Sequence, residues 1–290
     1  MKKSSMALRR GVAALAVTWL GAQTATAAAT DAPNCAGGGG TGVVEVNVAA
    51  LTSDGRLLCF KRRRASSARE IGYITGLMAA DTRLIGIDYR VRDGMLYGVG
   101  NGGGVYRIDT DTAVAEFVNP LSVPLTGAAF GVDFNPAADR LRIVGNDGQN
   151  LRHNVDTGGT TLADTALNYT PAVSATGIAG AAYTNNDLDP NTGTSLFDID
   201  TVLDQVVLQS PPNAGSLAAT GKTTVDATTD VGFDVYSSAV NGRVRSNLGF
   251  AVVSAGGVSR FYSVNLLTGR LTFMGRFATE ISDIAVPLAQ

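Results

Sequence analysis

The sequence predicts an all-β fold, a five-bladed β-propeller of four-stranded blades, and three observations predict it. Short apolar runs are broken throughout by Gly, Asn, Asp and Pro, the mark of many short strands joined by tight turns. No long stretch past the N-terminal leader keeps a helical period. One motif recurs: Gly86-Ile87-Asp88-Tyr89 is followed by Gly131-Val132-Asp133-Phe134, Gly180-Ala181-Ala182-Tyr183, Gly232-Phe233-Asp234-Val235 and Asp283-Ile284-Ala285-Val286. The third residues of these copies stand 45, 49, 52 and 51 residues apart, an interval that four-stranded propeller blades give.

Each copy opens a unit that continues in the same manner. A polar hairpin follows the first strand, as in Arg92-Asp93-Gly94 or Asn135 to Arg140. A second strand comes next, at Leu96 to Val99, Leu141 to Val144 and Gly249 to Val252. A third ends in an Asp/Asn-Thr-Gly type of turn, as at Asp156-Thr157-Gly158, and a short fourth strand such as Arg270 to Met274 closes the unit. Asn, Asp and Gly stand where tight hairpins need positive φ. The termini complement one another. Residues 43–75 supply three strands, around Val44-Glu45-Val46, Leu57 to Phe60 and Ile71 to Ile74, while Ile281 to Leu288 supplies a lone first strand. Joined, they make one composite blade and close the ring without an open edge. Six blades or a β-sandwich are the alternatives, and Leu196 to Thr201 fits either a second or a third strand of its unit.

Ahead of this domain the chain reads as an export signal. Lys2, Lys3, Arg9 and Arg10 precede the apolar stretch Gly11 to Ala22, and Ala25-Thr26-Ala27 or Ala27-Ala28-Ala29 fits a cleavage site. The stretch is shorter than the about 20 residues that span a bilayer. The organisation expected is a signal peptide at 1–29, a Gly-rich leader at 30–41 and one propeller domain at 42–290, released to the periplasm or the exterior as a monomer with no membrane span. Of the 23 basic residues four leave with the signal, so against 25 acidic ones the mature chain carries −6. That balance argues against a nucleic-acid binder, and the one basic run, Lys61-Arg62-Arg63-Arg64, reads as a solvated strand end or hairpin. Cys35 and Cys59 can form one disulfide in an oxidising compartment, stapling the leader to the first unit; the alternative is a buried free Cys59.

Chemistry is scarce. The chain has a single histidine, His153, and it falls in a predicted strand, which leaves little for zinc catalysis or a Ser-His-Asp triad. Carboxylates remain. Asp88, Asp133 and Asp234 occupy one repeat position on innermost strands, which line the channel of a propeller, so three acids converge there in the predicted fold. Such a set suits three roles: a hard cation such as Ca²⁺, acid/base cleavage of glycosides, or acceptance of main-chain N–H groups in the service of the fold. Glu is confined to Glu45, Glu70, Glu116 and Glu280, and Trp19 leaves with the signal, which weakens the glycosidase reading. Asn185 to Gly193 alternates oxygen ligands as a calcium loop does, but it lacks the bidentate Glu and reads as a long polar hairpin.

The string Thr126-Gly127-Ala128-Ala129-Phe130-Gly131-Val132-Asp133-Phe134-Asn135-Pro136-Ala137-Ala138-Asp139-Arg140-Leu141-Arg142, with Gly148 to Arg152, Asn154 to Gly158, Ala182 to Asp187 and Leu196 to Thr201, resembles a family of secreted bacterial proteins defined only as a domain of unknown function (4394). The resemblance covers nearly the whole mature chain. It implies a propeller-like fold and assigns no activity, cofactor or catalytic residue. The function expected is therefore a binding or interaction module on a rigid propeller, with an unknown protein or glycan as ligand. The alternatives are a structural surface-associated protein and a hydrolase built on the channel acids.

Overall fold

The computed structural model describes Met1, Cys35 and residues 46–169 and 173–288. Apart from Met1 and Cys35, the segments read above as a signal peptide and a Gly-rich leader lie outside the described residues. In the first repeat, β1 (Asn47–Thr52), β2 (Arg56–Lys61) and β3 (Arg69–Tyr73) pair in order. The first strand thus follows the expected Val44-Glu45-Val46, of which Val46 alone is described. β4 (Leu84–Tyr89), β5 (Leu96–Gly100), β6 (Gly104–Ile108) and β7 (Ala115–Pro120) form blade 2. β8 (Phe130–Asn135), β9 (Arg140–Gly145), β10 (Asn150–His153) and β11 (Thr161–Ala163) form blade 3. The connection to blade 4 contributes a small hairpin, β12 (Asn168–Tyr169) and β13 (Val173–Ser174). Blade 4 is β14 (Ile178–Tyr183), β15 (Leu196–Asp200), β16 (Gln205–Gln209) and β17 (Ser216–Lys222), and β12 lies parallel to its outer strand. Leu196 to Asp200 is accordingly a second strand. Blade 5 is β18 (Val231–Val240), β19 (Arg243–Ala255), β20 (Val258–Val264) and β21 (Leu271–Arg276). Last comes β22 (Ile281–Ala285), which pairs with β1 through Ala49 opposite Ala285 and Leu51 opposite Asp283 and so becomes the first strand of blade 1. Five four-stranded antiparallel blades result, one of them composite.

The burial pattern follows from this arrangement. Successive side chains of a strand point to opposite sheet faces, and in a propeller both faces of a blade meet neighbours, so β4 is buried at all six positions from Leu84 to Tyr89. Five apolar clusters fill the five joints. Leu57, Ile87 and Tyr106 belong to the joint of blades 1 and 2, Val99, Phe134 and Ile143 to 2 and 3, and Val144, Tyr183 and Leu217 to 3 and 4. Phe197, Phe233 and Val253 belong to 4 and 5, and Phe60, Phe250 and Ile284 to 5 and 1, where the Phe60 and Phe261 rings meet edge-on at 5.0 Å. Near the axis the first strands crowd. A Cβ on Gly131 would lie 2.5 Å from the Ala181 nitrogen, and one on Gly232 would lie 2.6 Å from the Asp283 Cα. Glycine at the head of the repeat is thus a requirement of close approach.

Cys35 and Cys59 form a disulfide with Cα atoms 5.9 Å apart. It anchors Cys35 in the cluster between blades 1 and 2, where the Tyr89 hydroxyl donates to the Cys35 carbonyl. Strand direction gives the ring two unlike faces. The upper face carries the connections between first and second and between third and fourth strands; the lower face carries the links between blades.

Candidate functional site

The aspartates of the repeat meet at the axis. Asp88 on β4, Asp133 on β8 and Asp234 on β18 are buried, and one carboxylate oxygen from each lies within 4.8 Å of the others. β14 places Ala182 at this position and β22 places Ala285. A fourth acid joins them from a position the repeat does not predict: Asp283 stands where the other four copies carry glycine. Each carboxylate reaches across to the next blade. The Phe134 N–H donates to Asp88 at 2.7 Å, Tyr183 to Asp133 at 3.1 Å, Val286 to Asp234 at 2.5 Å and Ile87 to Asp283 at 2.8 Å. Four of the five joints are clamped in this way; at the joint of blades 4 and 5, Ala182 has no carboxylate to offer.

Burial and mutual repulsion raise these carboxyls. Asp88 is pushed well above the usual range by burial and then by the Asp234 charge, Asp133 by burial and then by Asp88, and Asp283 by burial. Burial lifts Asp234 to about 7. The spacing suits a hard cation, because two oxygens opposite one another at about 2.4 Å from Ca²⁺ are separated by about 4.8 Å. Protons held by the same carboxyls meet the same electrostatic need. Glycoside cleavage is poorly served, since a sugar ring has to enter between the two carboxyls and Asp133 and Asp234 are 1% and 2% exposed.

His153 is fully buried, its Nδ1 3.0 Å from Thr161 Oγ1 and its Nε2 2.8 Å from Asn119 Oδ1. Burial, and then the Arg140 charge, lowers it to about 4. Both ring nitrogens are occupied in joining β10 to β7 and to β11. Another buried acid, Asp198 on β15, has no hydrogen-bond partner on either oxygen, and burial raises its pKa well above the usual range. It faces the joint of blades 3 and 4, where Arg142 donates to Asp164 at 2.8 Å and to Asn150 and Asn213 at 2.7 Å each. No feature of the repeat marks Asp198.

A ligand-sized cavity lies elsewhere, on the upper face. Strands β18 and β19 run 10 and 13 residues, well past the height of the other blades, and form a projecting arm. Its tip is an Asn-Gly hairpin turn, with Asn241 at φ 54° and Gly242 at φ 73°. The arm is tied to the Asn185–Ser195 connection of blade 4. The Asn185 N–H donates to Asn247 Oδ1 at 3.0 Å, and Asn247 Nδ2 returns a bond to Asn185 Oδ1 at 2.8 Å. Beside it opens a cleft of about 1080 Å³ running from Ser195 and Phe197 of blade 4, across blade 5, to Arg62 of blade 1. Phe197, Phe250, Val264, Leu266 and Met274 give it apolar walls; Asn185, Asn247, Ser263, Asn265, Thr272 and Arg270 supply polar groups. Of the basic run read above as a solvated strand end or hairpin, Lys61 and Arg62 are half-buried and Arg62 lines the cleft, while Arg63 and Arg64 are exposed. The dipeptide Asn241-Gly242 between strand-like runs was the signal for the arm. The cleft itself has no local signature, because its lining comes from three blades.

Fold and site together define a disulfide-bonded five-bladed propeller with four axial aspartates and a ligand-sized cleft on one face. The chain belongs to the family described as Domain of unknown function (DUF4394), whose model matches residues 56–285. No curated protein matches it. Among solved structures it is similar to a protein of unknown function from Bacteroides thetaiotaomicron VPI-5482, with 11% identity over 84% of this chain and 65% of that one and a TM-score of 0.47. It is also similar to an auxiliary nutrient binding protein from that organism (13% identity, 78% of this chain, 55% of that one, TM-score 0.39). TolB from Acinetobacter baumannii is a third such structure (11% identity, 84% and 67%, TM-score 0.42). The chain spans 65% and 55% of the lengths of the two Bacteroides proteins. At these identities the likeness concerns the fold alone. Among the described residues no helix is long and apolar enough to cross a membrane.

Proposed function

We propose that the protein is an exported binding module that holds its ligand in the cleft over blade 5. One observation carries this reading: a cavity of about 1080 Å³ with apolar walls and convergent amide and hydroxyl groups, the general character of small-ligand sites. The axial aspartates serve the ring in this reading, clamping blade to blade. The Cys35–Cys59 disulfide and the signal-like leader support export. Mass spectrometry of the protein recovered outside the host cytoplasm is expected to show a start near Ala28 or Thr30; an intact Met1 there would contradict export.

The cleft is tested with N-phenyl-1-naphthylamine, an uncharged dye that fluoresces in apolar surroundings. Saturable binding of one dye per chain is expected, weakened about tenfold or more by Leu248→Asp, which places a charge on a partly exposed cleft wall. Binding that ignores this substitution, or no saturable binding to folded protein, would remove the cleft from consideration.

A further inference from the structure

We infer that the cleft over blade 5 selects amphipathic anions: small molecules with an apolar body and a carboxylate or comparable anionic group. The inference rests on the reading of the cleft as the ligand site. Two charged residues line the cleft, Arg62 and Arg270, and no Asp or Glu does so. Neither arginine has an acidic partner among the described residues, in a mature chain whose expected balance is acidic. Arg62 Nε is buried and has no hydrogen-bond partner, an arrangement that costs stability unless an acceptor arrives. The surrounding upper face continues the same sign. Arg63 stands on the β2–β3 connection, and Arg243 and Arg245 stand on the arm, all three exposed. Two acids stand on the Asn185–Ser195 connection beside the arm: Asp189 lies 3.7 Å from Arg243, and one Asp187 oxygen is buried without a hydrogen-bond partner. Neither lines the cleft.

Charge and shape therefore divide the ligand in two. Phe197, Phe250, Val264, Leu266 and Met274 take an apolar body, while the two guanidinium groups take the anion, for which arginine's fixed fork of donors is suited. Ser263 and Thr272 complete the polar side with hydroxyls that can donate or accept, while Asn185 and Asn247 are engaged with each other and with Gly193 and Ser237.

The test compares 8-anilino-1-naphthalenesulfonate with uncharged N-phenyl-1-naphthylamine, two dyes of the same aromatic body. Both are titrated against the oxidised full-length protein and its variants, with thermal unfolding confirming that each variant is folded. The sulfonate is expected to bind one per chain and more tightly than the neutral dye. Arg62→Gln/Arg270→Gln is expected to weaken the sulfonate about tenfold or more, leaving the neutral dye unchanged. High salt is expected to narrow the difference. Arg276→Gln, on the lower side of the ring, is the control and should alter neither. If removing Arg62 disturbs folding, Arg270→Glu gives the same readout at an exposed position. Equal binding of both dyes to every variant would overturn the anion selectivity and leave the cleft standing as a site. Failure of both dyes to bind folded protein would remove the site itself.

Discussion

Four carboxyls face one another around the axis, Asp88, Asp133, Asp234 and Asp283, while β14 brings only Ala182. Their folded pKa values are raised by burial and by one another, to about 7 for Asp234, whereas in the unfolded chain aspartate titrates near about 4. The native ring therefore holds protons that the unfolded chain releases. Its contribution to stability is fully present below about pH 4, declines as pH rises, and is lost above the raised folded values. Buried Asp198 adds to the same slope. At the acid end the trend reverses. Arg56 and Thr52 hold Asp54 low, and the Asp111 and Thr112 N–H groups hold Asp109 low, so protonating these carboxyls costs stability. We expect the unfolding midpoint to peak near about pH 5 and to fall by roughly 5–10 °C towards pH 8. Asp133→Asn keeps an oxygen for the Tyr183 N–H and removes one ionisation. Calorimetry across this range should find the variant's alkaline fall shallower than wild type; an unchanged slope would contradict the proton-sharing ring.

At the scale of the element, β22 carries the closure. Ile281, Ile284, Ala285 and Val286 are each no more than 3% exposed, packed between blades 5 and 1 or 1 and 2. Each large side chain contributes about 1.5–3 kcal/mol on burial, and the Val286 N–H also satisfies Asp234. Together these rival the about 5–15 kcal/mol of an ordinary domain. A chain ending at Thr279 is expected to aggregate or unfold well below the full-length midpoint; a soluble truncation with an unchanged midpoint would refute closure. This strand was legible in the sequence because Asp283-Ile284-Ala285-Val286 repeats the pattern of the other first strands. The start of β1 was not. Val44-Glu45-Val46 alternates as an exposed strand should, whereas Asn47-Val48-Ala49-Ala50-Leu51-Thr52 carries two alanines of weak strand preference and is fixed by pairing with β2 and β22. Three of the four axial acids were visible through their shared repeat position. Asp283 was hidden because it replaces the glycine of that position, and Arg62 because a basic run looks the same whether solvated or lining a cavity.

Taken whole, the ring is held by five apolar joints and four carboxylate clamps, with the unclamped joint between blades 4 and 5. The arm and the cleft stand over that joint, where the Asn185–Asn247 pair and Asn186, which donates to the Ser237 hydroxyl and the Val235 carbonyl, make polar contacts. In the proposed reading recognition falls to the cleft beside the projecting arm, while the buried axial acids and the occupied histidine serve the frame. Hydrogen–deuterium exchange with and without bound 8-anilino-1-naphthalenesulfonate tests this most directly. The account predicts slowed exchange at Tyr236 to Phe250 and at Val264 to Thr272, with blades 2 and 3 unchanged. Protection centred on the axial strands or on blades 2 and 3, with the arm unaffected, would contradict it.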